Sequence, residues 1–486
     1  MPILGDKRAR GRRFEGWPRA YWSAPDALLY LGDVRSCLRA MPARSVHTCV
    51  TSPPYWNLRD YDTGTWEGGS ADCDHTASSG RAGRPRGLLE SGMSTIDASV
   101  FYRSTCGKCG AKRADMQIGQ EPSPDCGTHG QAQCGKCFVC SLVSVFREVH
   151  RVLRDDATCW LNLGDSYSSG ASGQNGTGPT TTMRSADKGA NKRGPRPPYK
   201  ELAPGNLVGV PWRVALALQT DGWVLRNDII WHSPNKMPES VNNRCSKAHE
   251  YIFLLVKCPG YYFDGVAIAE DGAEPDRVRN DRVGDKNGHL VRHSEGSIMR
   301  GTSQTVNKRD VWVVPSHGYH GAHFAVYSPQ LITPCILAGT SEHGCCADCG
   351  APYERVVATE RADQRVDGGG NCLGKQAPGA AEAGAEQKDY FRPVVERNTV
   401  GWRKTCGCAT TEVATCVVLD PFVGSGTTVA TSLVLGRAGV GIDLSEAYLT
   451  ENAILRIEAA GRGERPPRQK TVSLSPVVPP VPRVLR

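Results

Sequence analysis

Residues 418–428 read VLDPFVGSGTT, the end of an apolar run followed by Pro421, a turn holding Gly424 and Gly426, and two threonines that can open a helix. Glycines there let the backbone turn tightly and approach a ligand closely, at the carboxyl end of a parallel strand, where ligands settle in open α/β sheets. A glycine turn alone also suits a purely structural bend. What adds weight is Asp443, closing the next apolar run AGVGID (438–443), where a carboxylate can accept both hydroxyls of a ribose. The turn lacks a Gly-Lys-Ser/Thr ending, which argues against a nucleoside triphosphate.

Working outward, apolar runs alternate with helical periodicity. Strands are predicted at ALLYLGD (27–33), VHTCVT (46–51), TCWLNLGDS (158–166), WVLRNDIIWH (223–232), HEYIFLLVK (249–257) and CVVLD (416–420). Between them, Leu142, Val145, Val149, Val152 and Leu153 share a helical face, Pro211 opens a further helix, and a last helix runs to about 461. Such alternation predicts an α/β fold with a parallel sheet covered by helices on both faces. Two stretches, 62–140 and 341–411, are polar, Gly-rich and Cys-rich and read as inserts.

A second unusual stretch is VTSPPYWNLRDY (50–61). Prolines forbid a helix or a central strand, so the chain must leave the sheet abruptly, in a fixed conformation with aromatic rings beside it. That is how an active-site loop is built.

Asp-Pro-Phe-x-Gly-x-Gly-Thr-Thr resembles the S-adenosylmethionine turn of amino-directed DNA methyltransferases, and Ser-Pro-Pro-Tyr resembles their catalytic loop. Here the catalytic loop comes first and the cofactor turn last, the circularly permuted order of the β class. The resemblance covers roughly 27–60, 141–167, 205–264 and 310–461. It implies a Rossmann-like class I methyltransferase fold, mostly parallel; the Cys-rich inserts, zinc-ribbon-like by their cysteine spacing, and the tails lie outside it. Together with the composition, this divides the chain. A basic flexible start (1–22) precedes the catalytic half (23–61), a Cys-rich insert (62–140) and core (141–264) with a mobile basic loop (168–200). A target-recognition segment (265–309), a cofactor-closing segment (310–340), a second Cys-rich insert (341–411), the cofactor half (412–461) and a disordered Pro-rich tail (462–486) follow.

The implied chemistry is methylation of an exocyclic amino group. That amine is a poor nucleophile, so the site must align it with the sulfonium methyl and accept hydrogen bonds from it as charge develops. The Ser52 hydroxyl and Pro53 carbonyl would be the acceptors, Pro53 and Pro54 would hold them rigid, and Tyr55 would stack on a base flipped out of the duplex. Trp56 either extends that wall or packs inside. Ser52 matches the pattern of cytosine-N4 enzymes, whereas adenine-N6 members usually carry Asp there. Cytosine-C5 chemistry needs a Cys in a Pro-Cys-Gln setting; Pro334-Cys335-Ile336 lacks the Gln and reads as packed helix. Asp33, Asp420, Pro421, Phe422, Gly424, Gly426, Thr427 and Asp443 are the implied cofactor contacts, with helix capping the alternative for Asp33. NLGDSY (162–167), with Asn162 and Asp165, WHSPNKMPES (231–240) and HFAVYSPQL (323–331), with Ser328 where a Pro is often found, resemble segments around the site.

Twenty cysteines in a chain placed in the cytoplasm of a bacterium or phage host suggest metal rather than a disulfide framework. Cys73-x-His75 with Cys106-x2-Cys109, and Cys346-x2-Cys349 with Cys406-x-Cys408, each offer four ligands at knuckle spacing for structural zinc. Cys126, Cys134, Cys137 and Cys140 form a third cluster, open between metal site and packed thiols. The net charge is +8, yet residues 1–22 carry six basic and two acidic side chains and 461–486 carry six and one, so the body is close to neutral. Arg277, Arg279, Arg282, Arg292 and Arg300 could read guanine edges or phosphates of double-stranded DNA, or face solvent. No apolar run reaches membrane length. A homodimer and a cognate restriction endonuclease are further partners the resemblance leaves open. Two competing functions are a zinc-containing DNA-binding protein with an inactive core and an RNA or protein N-methyltransferase, which usually has Asn in place of Ser52.

Overall fold

A computed structural model describes residues 14–56, 66–70, 72–73, 108–113, 118–119, 121, 123–127, 134, 137–168, 202–203, 205–271, 302–303, 305–316, 327–366 and 390–464. The five arginines of the expected recognition segment, His75, Cys106, most of the 168–200 loop and residues 465–486 lie outside them.

Nine strands form the central sheet. They are β1 (Trp22–Ala24), β2 (Ala27–Leu31), β3 (Val46–Thr51), β4 (Leu153–Leu163), β5 (Val224–His232), β6 (His249–Val256), β7 (Val311–Val313), β8 (Val417–Asp420) and β9 (Ala438–Asp443). Their spatial order is β1-β2-β9-β8-β3-β4-β6-β5-β7. From β2 to β4 every pairing is parallel. The sheet is mostly parallel, as expected, and departs from that direction where β1 pairs antiparallel with β2 and where β6 runs antiparallel to both β4 and β5. An apolar run such as YIFLLV looks the same in either direction, since direction is set by the connections.

The central strands β3 and β8 are buried along their whole length, which is why they read as continuous apolar runs rather than alternating ones. The first face is covered by α1 (Val34–Ala40), α2 (Phe138–Val152) and α3 (Val210–Thr220). Helix α2 turns Leu142, Val145, Phe146 and Val149 inward, at helical spacing, against Leu38, Leu161 and Phe253. Phe146 is fully buried, so its truncation to Ala would cost about 3–5 kcal/mol. On the other face α4 (Pro329–Gly339) sets Leu331 and Ile336 against Trp160, Ile252 and Val418. Here α5 (Thr427–Val434) and a helical run over 446–461 pack Val429 and Ile457 on Leu29. As expected, Cys335 lies buried inside α4.

The second insert holds an element its sequence does not announce. Glu354–Val366 and Tyr390–Arg403 form a long antiparallel ribbon, to which Thr302–Ser303 adds a short parallel strand. The ribbon is made by pairing between segments distant in sequence, which no local period announces. Among the described residues no helix is long and apolar enough to cross a membrane.

Candidate active site

Strands β3 and β8 are neighbours, and their carboxyl ends bring the two diagnostic stretches together. The Thr51 hydroxyl donates to Asp420 Oδ1 at 2.7 Å. Asp420 is buried, which pushes its carboxyl above the usual range, and it is satisfied on every side: it accepts from the Phe422 N–H at 3.1 Å, Thr428 Oγ1 at 2.5 Å and Tyr327 Oη at 2.9 Å. Asp420 therefore joins the Pro-Pro loop, the glycine turn and the start of α4. Tyr327 belongs to the expected cofactor-closing segment, of which 317–326 lie outside the described residues, and Ser328 caps α4 by accepting from Leu331 N.

Beyond Thr51, the Ser52 hydroxyl lies 3.4 Å from Tyr55 Oη. Tyr55 Oη in turn donates its one proton to Glu250 Oε2 at 2.6 Å and lies 3.0 Å from Asn162 Oδ1. The far oxygen of Glu250 meets Lys236 Nζ at 3.4 Å. Glu250 and Lys236 were not named from sequence. Glu250 opens β6, and because that strand runs antiparallel its first residues lie at the carboxyl ends of β3 and β4. A carboxylate immediately before the apolar residues 251–256 was the available signal. The Tyr55 ring lies against Gly164, where an added Cβ would stand 2.6 Å from the ring.

Of the NLGDSY pair, only Asn162 touches the loop. Asp165 instead accepts from the Val210 and Gly209 N–H groups at 2.9 and 3.1 Å, capping α3. Trp56 is buried and donates to the Glu121 carbonyl at 2.9 Å, so it packs rather than lining an open wall.

In the glycine turn, Gly424 and Gly426 have φ of 48° and 79°, a region that suits glycine. A Cβ on Gly426 would also lie 2.9 Å from the Ala453 backbone. Arg456 clamps the turn, donating to Ser425 Oγ at 2.7 Å and Thr427 Oγ1 at 2.9 Å. Thus Thr427 faces Arg456, a partner the sequence did not suggest. Pro421 is buried and Phe422 packs against the core. Asp443 ends β9 and accepts one N–H on each oxygen, from Gly424 at 2.9 Å and Ser445 at 2.8 Å. Burial, with a smaller push from Asp420, raises its carboxyl to about 6 against those N–H groups. Asp33 caps α1, accepting from Ser36 N at 3.0 Å, and pairs with Arg35 at 3.1 Å.

The Cys346, Cys349, Cys406 and Cys408 sulfurs lie within 4.8 Å of one another, as do those of Cys126, Cys134, Cys137 and Cys140. Cys73 and Cys109 are described, but their expected companions are not. Buried His47, Cys345 and Cys416 also converge. His47 Nδ1 accepts from Val417 N at 3.0 Å and its other nitrogen faces the Gly350 carbonyl at 2.9 Å, so the imidazole is already used in packing.

A mostly parallel sheet, with a glycine turn after one central strand and a Pro-Pro-Tyr loop after its neighbour, defines a Rossmann-like methyltransferase core in permuted order. More particularly, the chain belongs to the DNA methylase family of N6 and N4 methyltransferases, whose model matches residues 46–351 and 410–454. The Type II methyltransferase M.Cfr9I of Citrobacter freundii is 35% identical over 317 residues, covering 65% of this chain and 73% of the relative. M.SmaI of Serratia marcescens is 32% identical over 319 residues, covering 65% and 76%. Among solved structures, PvuII DNA methyltransferase (cytosine-N4-specific) overlies 90% of this chain and 94% of its own at 11% identity, with a TM-score of 0.39.

Proposed function

We propose that this DNA methylase transfers a methyl group from S-adenosylmethionine to the exocyclic N4 of a cytosine flipped out of double-stranded DNA. The observation that carries the reading is the tie from Thr51 to Asp420, which places the Ser-Pro-Pro-Tyr loop beside the glycine turn at the same sheet edge.

The donor set suits the cofactor. Gly424 and Gly426 give a turn without side chains, Asp33 lies at the end of β2 beside β9, and each Asp443 oxygen keeps a lone pair for a ribose hydroxyl after accepting one N–H. The bound cofactor supplies an electrophilic sulfonium methyl. The chain supplies position: Ser52 Oγ and the Pro53 carbonyl accept hydrogen bonds from the amino group, and Tyr55, anchored by Glu250 and Asn162, stacks on the base. Ser52 favours cytosine over adenine N6, because a neutral hydroxyl stands where adenine-directed members usually hold a carboxylate.

Two further assignments accompany this reading. Zinc held by Cys346, Cys349, Cys406 and Cys408 would fix the base of the ribbon, joining the segment before its first strand to the segment after its second. Sequence selectivity would reside in 265–309, with Arg277, Arg279, Arg282, Arg292 and Arg300, beside the ribbon that Thr302–Ser303 joins. The relatives are named Type II methyltransferases, which supports a partnership with a restriction endonuclease.

The deciding experiment incubates the protein with mixed-sequence DNA and S-adenosylmethionine, digests to nucleosides and measures mass. N4-methylcytosine is expected. N6-methyladenine would overturn the base assignment, and no methylated nucleoside would favour a DNA-binding protein with an inactive core.

A further inference from the structure

We propose that Cys126, Cys134, Cys137 and Cys140 bind one tetrahedral zinc ion that holds Gly119, Glu121 and Ser123–Cys126 against the Ser-Pro-Pro-Tyr loop. The site makes that loop's position metal-dependent. This inference rests on the reading of the loop as the methyl-acceptor site.

The ligand geometry is suitable. All four sulfurs lie within 4.8 Å of one another, and Cys126 Sγ is 3.5 Å from Cys140 Sγ. A disulfide would need about 2.05 Å. Four thiolates at a Zn–S distance of about 2.3 Å place neighbouring sulfurs about 3.8 Å apart, close to what is seen. Cys137 caps the start of α2 and Cys140 lies in its first turn, and the Cys140 N–H points at Cys137 Sγ at 3.4 Å.

Cys126 comes from a different segment, which is docked onto the same helix start. Phe138 N donates to the Ser123 carbonyl and Val139 N to the Pro124 carbonyl, both at 3.0 Å. Arg213 of α3 adds a 2.7 Å ion pair to Asp125. A metal would therefore join one segment to α2.

That segment touches the loop. The Glu121 carbonyl accepts the Trp56 indole N–H at 2.9 Å, and the Glu121 carboxylate accepts from Gly119 N at 2.8 Å. Gly119 lies so close that an added Cβ would stand 3.1 Å from the Tyr55 carbonyl and 3.2 Å from Pro54 Cβ. Helix α2 connects parallel strands β3 and β4, so its start lies at their carboxyl ends, on the loop's side of the sheet. The second four-cysteine cluster sits at the opposite end: Arg154, near the start of β4, donates to the Cys349 carbonyl at 2.6 Å, and His47, near the start of β3, meets Gly350. Only the first cluster can act on the loop directly.

Cys134 is exposed, so Cys134→Ser leaves no core cavity. The full-length variant, analysed by elemental mass spectrometry, is expected to hold one zinc fewer per chain than the wild type. Its kcat should fall on the order of a hundredfold through misplacement of the loop, with Kd for S-adenosylmethionine unchanged. Cys134→His, a replacement zinc ligand, should restore both metal and turnover. On the wild-type protein, iodoacetamide should label Cys134 only after chelation. Equal zinc in variant and wild type, or immediate labelling of Cys134, would overturn the metal site. Zinc loss with full turnover would overturn the positioning role. The metal and labelling readouts stand apart from catalysis, so a Tyr55→Ala protein that still methylated DNA would refute the loop assignment without touching them.

Discussion

Thr51 closes β3 and donates to Asp420, which closes β8, at 2.7 Å across residues 369 positions apart in sequence. One buried hydrogen bond thus ties the Pro-Pro loop to the glycine turn beyond the ends of two paired strands. Removing the donor with Thr51→Val would leave an Asp420 oxygen with one partner fewer in a buried site. We expect a loss of about 1–3 kcal/mol, read as a lower denaturation midpoint at unchanged slope, with reduced turnover. Unchanged stability would show that the contact contributes nothing.

Tyr55 stands on the loop and not in the glycine turn, so its removal should separate the two halves of the reaction. Tyr55→Ala is expected to lower kcat by roughly a hundredfold while S-adenosylmethionine affinity is retained. Equal loss of both by calorimetry and steady-state kinetics would contradict the assigned role. Glu250→Gln, which weakens the anchor on Tyr55 Oη, should give a smaller decrease in the same direction.

Gly164 makes room for the Tyr55 ring, since an added Cβ would lie 2.6 Å from it. Gly164→Ala should therefore displace the ring at a stability cost of about 1–3 kcal/mol. Product formation under single-turnover conditions is the appropriate measurement; a wild-type rate would mean the ring position is immaterial.

Asp443 supplies a pH prediction. Its folded carboxyl is raised to about 6 from an ordinary 3.8, chiefly by burial. Because the folded value lies above the unfolded one, its contribution to stability is fully present below the ordinary value and is lost as pH rises through about 6. Cofactor affinity should move the opposite way, since only the ionised carboxylate offers both oxygens as acceptors. Binding measured from pH 7.5 downward should weaken as pH passes below about 6, and Asp443→Asn should abolish that dependence. A flat wild-type profile would remove Asp443 from the binding site.

The proline loop and the glycine turn were legible because they depend on local rules. Pro53 and Pro54 end a strand whatever surrounds them, and Gly424 and Gly426 occupy a turn that side chains would strain. Buried strands such as VHTCVT and AGVGID announce themselves by continuous apolar runs, and both were found at the expected residues. The order of these stretches along the chain likewise determined the permuted arrangement. Tertiary structure decided what depends on strand direction and on contacts between distant segments. The antiparallel course of β6 delivers Glu250 to Tyr55, a contact of 195 positions that no local pattern encodes. Arg456 on the glycine turn, Asp165 on the start of α3 and the approach of Cys126 to Cys140 belong to the same kind, as does the ribbon, whose two strands pair across distant segments. Local conformational preference is written residue by residue, whereas partners across a sheet are chosen by the packing of the whole core.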